Sequence, residues 1–235
     1  MRAKRCAAAI LAALTLVCAS SALAAPVRVF LDGAAPGDAA FARETILGAT
    51  IVSDKSAADL IWSGTDKSVV TPEGDPWAYG VEAAALQGVV RKWAAVSAIK
   101  TRAAARPFEI GVAEGAVVHR QGKTVTIQSA PSPHPYMTVF NLAPGGDVQF
   151  LYPAQGDPAE WPVGAPYALQ LVVRDPPFGA EHVVAITSAR PLTGLHKGLK
   201  QADPGGVAAL LDEALADVDH RVGVATLLTA PKARR

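Results

Sequence analysis

Hydrophobic positions in the first third of the chain alternate between short β-type runs and helical spacing. The apolar runs that predict strands are residues 27–31, 49–52 and 60–62. Between the first two, Pro36-Gly37-Asp38 is typical of a helix start with Asp38 as its cap, and Gly48 is typical of a helix end. Strands that alternate with short helices indicate a small α/β unit with right-handed crossovers.

The longest amphipathic pattern predicts a helix over about residues 81–105, after a hairpin at 68–79. Its apolar side chains recur at spacings of three and four residues, as on a buried helix face; they are Leu86, Val89, Val90, Trp93, Val96 and Ile99. The basic residues are interpreted as a solvated face, with cations near the C-terminus, where the helix dipole favours them; they are Arg91, Lys92, Lys100, Arg102 and Arg106. The alternative is a structural subunit that docks onto an acidic partner or anionic lipid through this basic helix.

From Pro107 onward the pattern changes to short apolar runs separated by glycine- and proline-rich turns. The runs are residues 108–112, 116–119, 124–128, 136–142, 148–152, 167–173 and 182–188. This spacing is typical of an antiparallel β-sandwich. A last helix at about 206–216 and a final strand at 222–228 follow. The predicted fold class is therefore α+β, in which a small α/β unit and a long amphipathic helix precede an antiparallel β-sandwich with a C-terminal helix and strand.

Residues 1–24 have the pattern of a Sec-type export signal. Three basic residues precede an apolar run, and the small residues after that run predict cleavage after Ala24. The run is short for a bilayer-spanning helix, although a retained anchor and lipidation at Cys18 are alternatives. The mature chain is therefore predicted to be periplasmic or secreted, with an α/β unit at 25–106 and a β-sandwich module at 107–235.

Charge and cysteine content narrow the function classes. The chain has 22 basic and 21 acidic side chains, and removal of the signal leaves 19 basic ones, so a near-neutral mature protein has no electrostatic attraction to nucleic acid. Cys6 and Cys18 both lie in the predicted signal. A cysteine-free mature chain excludes disulfides, thiolate-zinc sites and cysteine nucleophiles.

Candidate catalytic chemistry is sparse. No two of the five histidines have a common metal-ligand spacing; they are His119, His134, His182, His196 and His220. Ser97 and Lys100 match a Ser-x-x-Lys pattern, but its partner motifs do not follow, and we interpret the spacing as chance. The acidic residues near the end of the chain are interpreted as a solvated helix face; they are Asp212, Glu213, Asp217 and Asp219. No catalytic residue, metal or cofactor is predicted.

Three segments of the β-rich half carry a family resemblance. Residues 136–142 (YMTVFNL) lead through a Gly-Gly-Asp turn to residues 148–153 (VQFLYP), and residues 175–188 (DPPFGAEHVVAITS) follow later. Together they resemble the family called domain of unknown function 4384, over roughly residues 108–192. Such domains resemble modules appended to bacterial caspase-like peptidases and kinases. No peptidase domain precedes the module here, so the resemblance implies a binding or accessory role and transfers no catalytic residue.

The predicted function is that of an exported, non-enzymatic accessory or binding protein of the bacterial envelope, with an unidentified protein or envelope component as partner. The candidate interaction surface is Trp161, Phe178, Glu181 and His182. Trp161 lies in a predicted loop, where it either anchors a partner or covers the end of the sandwich, and His182 is interpreted as a structural histidine beside the Pro-Pro-Phe-Gly turn. The alternative is an exported hydrolase whose site is assembled from distant residues such as Ser97, Lys100 and His182.

Overall fold

The first three strands of the chain are parallel to one another, as the alternating pattern predicts, in a sheet that also contains an antiparallel part. The computed structural model describes residues 25–233, so the predicted export signal and both cysteines lie outside the described residues. In chain order the first five strands are β1 (Val27–Asp32), β2 (Ala49–Val52), β3 (Leu60–Ser63), β4 (Ser68–Val70) and β5 (Pro76–Tyr79). The strand order is β2-β1-β3-β4-β5, in which β1 pairs in parallel with β2 and β3, and the remaining pairs are antiparallel.

The helix between β1 and β2 differs from its prediction in its start. Helix α1 (Pro36–Thr45) has Ala35 at its N-cap, so the prediction that Asp38 is the cap was wrong. Proline fits the first helical position because its fixed φ suits the helix and it has no N–H to leave unpaired. Asp38 instead lies in the first turn, where the helix dipole favours an acidic side chain, and its carboxylate pairs with Lys67 at 3.5 Å.

The long helix ends at the predicted residue but begins at Leu86 rather than at about residue 81, and it differs from its prediction at one basic residue. Helix α2 (Leu86–Ala105) buries most of the predicted apolar stripe, although Trp93 is only partly buried. Lys92, which we expected on the solvated face, is fully buried. The prediction for that residue was therefore wrong.

The β-rich half contains two sheets packed face to face. Its strands are β6 (Ile110–Val112), β7 (Val118–Arg120), β8 (Thr124–Pro131), β9 (Tyr136–Leu142), β10 (Val148–Tyr152), β11 (Pro166–Val172), β12 (Ala180–Ser188) and β13 (His220–Ala230). One sheet has the order β10-β9-β12-β13-β7 and the other has the order β11-β8-β6. All pairs are antiparallel except that of β13 with β7. The α+β fold class, with its C-terminal helix and strand, is confirmed.

Two helices separate β12 from β13. Helix α3 (Thr193–Leu199) was not predicted, because its short sequence contains two glycines and only two buried apolar side chains. Helix α4 (Pro204–Leu215) begins at the cap Asp203, whose carboxylate accepts a hydrogen bond from the Gly205 N–H at 2.7 Å. It packs against α2.

Basic residues of α2 pair with acidic residues of the C-terminal segment, although both groups were expected to face solvent. Arg91 pairs with Asp203 at 3.4 Å, and Arg102 forms an ion pair with Asp212. Partly exposed ion pairs contribute little stability individually. They nevertheless occupy part of the basic surface through which a docking subunit would bind an acidic partner.

Strand β12 is buried on both faces and joins the two cores. Val184 and Ile186 belong to the largest hydrophobic cluster, which also contains residues of the first sheet, α2 and α4. Val183 and Ala185 point the other way and belong to the core of the sandwich. The predicted division at Arg106-Pro107 therefore lies between segments that share a hydrophobic core. No helix within residues 25–233 is both long and apolar enough to cross a bilayer.

Candidate functional site

A cavity of about 360 Å³ lies where the first sheet and α2 meet the β-rich half. We call it the tryptophan cavity. The side chains that define it come from β5, α2, β12 and β13; they are Trp77, Trp93, Lys100, His182, Thr226 and Leu228. Ligand sites often occur at such junctions between structural units, and a volume of this size is typical of sites for small molecules.

Trp77 is the central aromatic residue of the cavity and is buried. Its ring centroid lies 4.7 Å from that of Trp93, in an edge-to-face arrangement, and 4.8 Å from that of His182. The Lys92 Nζ lies 4.7 Å from the centroid of the Trp77 ring. Cation–π and edge-to-face contacts favour this geometry and hold the indole in place.

Trp77 and His182 each have a buried side-chain nitrogen with no hydrogen-bond partner in the part of the chain that the structure describes: Trp77 Nε1 and His182 Nδ1. Both residues line the cavity. A buried polar atom without a partner costs about 1–3 kcal/mol, so native proteins satisfy nearly all of them. A bound molecule that pairs with both atoms would remove this cost.

His182 is held in its neutral form. Burial, together with the positive charges of Lys92 and Lys100, lowers the pKa of its imidazole to about 2. A neutral imidazole has one nitrogen that donates a hydrogen bond and one that accepts. Near neutral pH the His182 ring therefore has one donor and one acceptor nitrogen.

Lys92 contacts the Trp77 ring but is not one of the residues that line the cavity. Its ammonium donates a hydrogen bond to the backbone carbonyl of Ala180, the first residue of β12. Burial lowers the pKa of Lys92 to about 7, and the charge of Glu181 opposes that shift. The helical spacing contained the signal for its burial, because position 92 lies three residues after Val89 and four before Val96.

We expect Lys92→Met to remove a pH dependence of stability. The pKa of Lys92 is about 7 in the folded chain and about 10.4 when unfolded, so above pH 7 the unfolded chain binds more protons and stability rises with pH. Between pH 7.5 and 9 the wild-type free energy of unfolding should rise by about 1–2 kcal/mol through this residue. Urea unfolding at several pH values measures the rise, which Lys92→Met should lack and Lys197→Met, at an exposed position, should keep. An equal rise in all three proteins would contradict the assignment.

Glu181 lines a different cavity, of about 530 Å³, on the other side of β12. Its carboxylate accepts a hydrogen bond from the Asn141 amide at 2.6 Å, and the same amide donates to Gln149 at 3.1 Å. Burial raises the pKa of Glu181, whereas the Asn141 hydrogen bond and the charge of Lys92 oppose the shift. Because consecutive residues of a strand point to opposite faces, Glu181 and His182 do not share a cavity.

The turn before β12 positions His182 against Trp77. The Phe178 carbonyl accepts a hydrogen bond from the Tyr79 N–H at 2.8 Å, and Gly179 bridges to Ala78. The Phe178 side chain is buried in a small cluster of the β-rich half. The turn thus connects β5 of the first sheet to the start of β12.

Trp161 lies away from the cavity, at one end of the sandwich. Its ring makes edge-to-face contacts with Tyr152 and Tyr167, at centroid distances of 6.0 and 5.1 Å. Its Nε1 donates a hydrogen bond to the Ala165 carbonyl at 3.1 Å. The four residues of the predicted interaction surface therefore do not form one exposed patch, because Phe178 and His182 are buried and Trp161 covers the sandwich.

The residues of the hydrolase alternative are brought together only in part. Lys100 and His182 both line the tryptophan cavity, whereas Ser97 lines a separate, mostly apolar cavity of about 790 Å³ beside Ala25 and Arg28. Ser97 and His182 thus line different cavities, although Ser97 and Lys100 are neighbours on α2.

A second histidine takes part in a hydrogen-bond chain that sequence reasoning missed. His134 contacts the Thr187 hydroxyl at 3.0 Å through Nδ1 and the Asp219 carboxylate at 3.3 Å through Nε2. Thr187 is fully buried, so its hydroxyl is not exposed to a substrate. These three residues are far apart in the sequence and have no motif spacing. This chain of hydrogen bonds joins the segment before β9 to β12 and to the residue before β13. We assign it a structural role.

No family model matches the chain, and no curated protein matches it either. The resemblance to domain of unknown function 4384 therefore stays a prediction from sequence. Within residues 25–233, no group of three or more histidine and carboxylate side chains is arranged to hold a metal ion.

Proposed function

We propose that this chain is an exported, non-enzymatic binding protein of the bacterial envelope and that the tryptophan cavity is its ligand site. The observation that carries the proposal is that two residues lining a cavity with aromatic walls each have a buried, unpartnered polar atom, Trp77 Nε1 and His182 Nδ1. Apolar walls with a few polar groups that fix orientation are typical of sites for small molecules.

A binding role fits the chemistry of the cavity better than catalysis does. His182 is a very weak base, because burial and two lysines disfavour its protonated form. A general base works best with a pKa near the working pH. The imidazole of His182 is suited to a fixed hydrogen bond, and Ser97 lies at another cavity.

The export signal and the family resemblance support the location and the accessory role. The signal at residues 1–24 directs the mature chain to the periplasm or outside the cell. The segment 175–188, which carries the most specific part of the resemblance, also contains the turn and strand that place His182 in the cavity. In this proposal the module of domain of unknown function 4384 type supplies half of the ligand site, and the preceding α/β unit supplies the rest.

We expect Trp77→Phe to weaken ligand binding at this cavity. The probes are benzoate, benzyl alcohol and benzylamine, which share one ring and differ in charge, and the readout is the indole N–H resonance of each tryptophan by NMR. Binding of benzoate or benzyl alcohol should shift the Trp77 resonance, because its N–H gains an acceptor, whereas the protonated amine of benzylamine has no acceptor to offer. Trp77→Phe keeps a ring but loses that donor, so the affinity, read in this variant from the Trp93 resonance, should fall about 3- to 10-fold, as expected for loss of about 1 kcal/mol from a hydrogen bond.

Trp161→Phe is the matched control, because the Trp161 Nε1 is already bonded to Ala165 and lies in the sandwich. This variant should bind every probe as the wild type does. If none of the three probes shifts the Trp77 resonance at millimolar concentration, the proposed site is wrong.

A further inference from the structure

We propose that the ligand of the tryptophan cavity is a small aromatic or apolar carboxylate. The inference rests on the proposed function and deepens it by naming the chemical class. Three features of the cavity carry it: the kind of polar atom left without a partner, the charges around the cavity and the apolar character of the remaining wall.

The unpartnered atoms match a group that only accepts hydrogen bonds. The Trp77 indole has a donor and no acceptor, so a ligand must present an acceptor there. The neutral His182 imidazole donates from Nδ1 when its proton resides on that nitrogen. An ionised carboxylate has two acceptor oxygens, so it can take one hydrogen bond from each of the two side chains.

The charges near these atoms favour an anion. Lys100 lines the cavity, and the amine of Lys92, which is half protonated at pH 7, lies against the Trp77 ring. The carboxylate of Asp75 is the acidic group of the lining and lies on the exposed hairpin between β4 and β5. The same two lysines disfavour a proton on His182, which is the effect of a positive potential at that position. An anionic group placed beside His182 is stabilised by that potential.

The remaining wall is apolar. Trp93, Pro76, Val117 and Leu228 contribute it, and Val117 is 54% exposed at the edge of the cavity. A ring or short hydrocarbon attached to the carboxylate would bury its surface against these side chains. Since burial of apolar area drives such binding, the favoured molecule combines one carboxylate with one compact apolar group.

The test compares the affinities of benzoate, benzyl alcohol and benzylamine for the mature chain by isothermal titration calorimetry at pH 7. Benzoate should bind at least fivefold more tightly than the other two. Lys100→Gln should weaken benzoate about two- to fivefold, the range measured for partly exposed ion pairs, and leave benzyl alcohol unchanged. Lys197→Gln, on the exposed face of α3, should bind benzoate as the wild type does.

The outcomes separate this inference from the proposed function. If benzyl alcohol or benzylamine shifts the Trp77 resonance and binds as tightly as benzoate, the cavity is a ligand site but the carboxylate class is wrong. Unchanged benzoate affinity in Lys100→Gln also overturns the inference. If no probe of any charge binds, the proposed site fails together with it.

Discussion

Gly179→Ala should lower the free energy of unfolding by about 3 kcal/mol or more, as expected when a strained backbone position is combined with a steric clash. The backbone φ of Gly179 is +138°, a conformation that side-chain-bearing residues rarely adopt. A Cβ at this position would lie 2.6 Å from the Trp77 carbonyl oxygen and 2.7 Å from the Ala78 Cα. Both contacts are with backbone, so neither can be relieved by a side-chain rotation.

The effect of Gly179→Ala should include the ligand site. Gly179 forms the bridge to Ala78 that holds β5 beside the start of β12. Separation of these strands would move Trp77 away from His182. Urea unfolding measures the loss of stability, and the Trp77 indole N–H resonance should also shift in the variant without any probe added.

Gly206→Ala provides the control for this prediction. Gly206 lies in α4, and a Cβ there would meet no atom within 4 Å. Alanine favours a helix interior by up to about 1 kcal/mol over glycine, so this variant should be as stable as the wild type or slightly more stable. Equal urea midpoints for Gly179→Ala and the wild type would show that the close backbone contact is absent.

The sequence predicts most elements of this fold because their patterns are local. The strands β9 and β10 begin and end at the predicted residues, and the stripe of α2 is buried as its spacing indicates. The pairing of β7 with β13 in parallel could not be predicted, because it depends on which strand edge remains free after the sheet forms. Helix α3 was missed for the opposite reason: its local signal is weak, and packing against α4 stabilises it.

The ligand site could be predicted only in part. The Pro-Pro-Phe-Gly segment identified His182 as a residue of interest, but its partner Trp77 lies more than 100 positions earlier in another sheet. Nothing in either local pattern connects the two. Lys92 was assigned to solvent because lysine is rarely buried, although its place in the helical spacing indicated the core. Residue type outweighed periodicity in that interpretation, and periodicity was the better guide.

Acidification should destabilise the protein through His182. Its pKa is about 2 in the folded chain and about 6.5 when unfolded. Between these values the unfolded chain binds one more proton, so stability is present above pH 6.5 and is lost as the pH falls. From pH 6.5 to 4.5 the free energy of unfolding should decrease by about 2–3 kcal/mol through this residue, at about 1.4 kcal/mol per pH unit. Urea unfolding of the wild type and of His182→Asn measures it, and the variant should lose most of the slope.

Other titrating groups determine the pH range of this measurement and the choice of control variant. The carboxylates with lowered pKa values, such as Asp59 and Glu114, act mainly below pH 4.5, and the raised pKa of Glu181 gives a slope of opposite sign. His196 has the same sign because burial lowers its pKa too, so His196→Asn is the control and should keep most of the slope. NMR titration of the His182 ring in the wild type tests the cause without any substitution, since its signals should stay at their neutral positions at pH 4.5. Protonation of that ring near pH 6 would contradict the buried, neutral histidine on which the cavity depends.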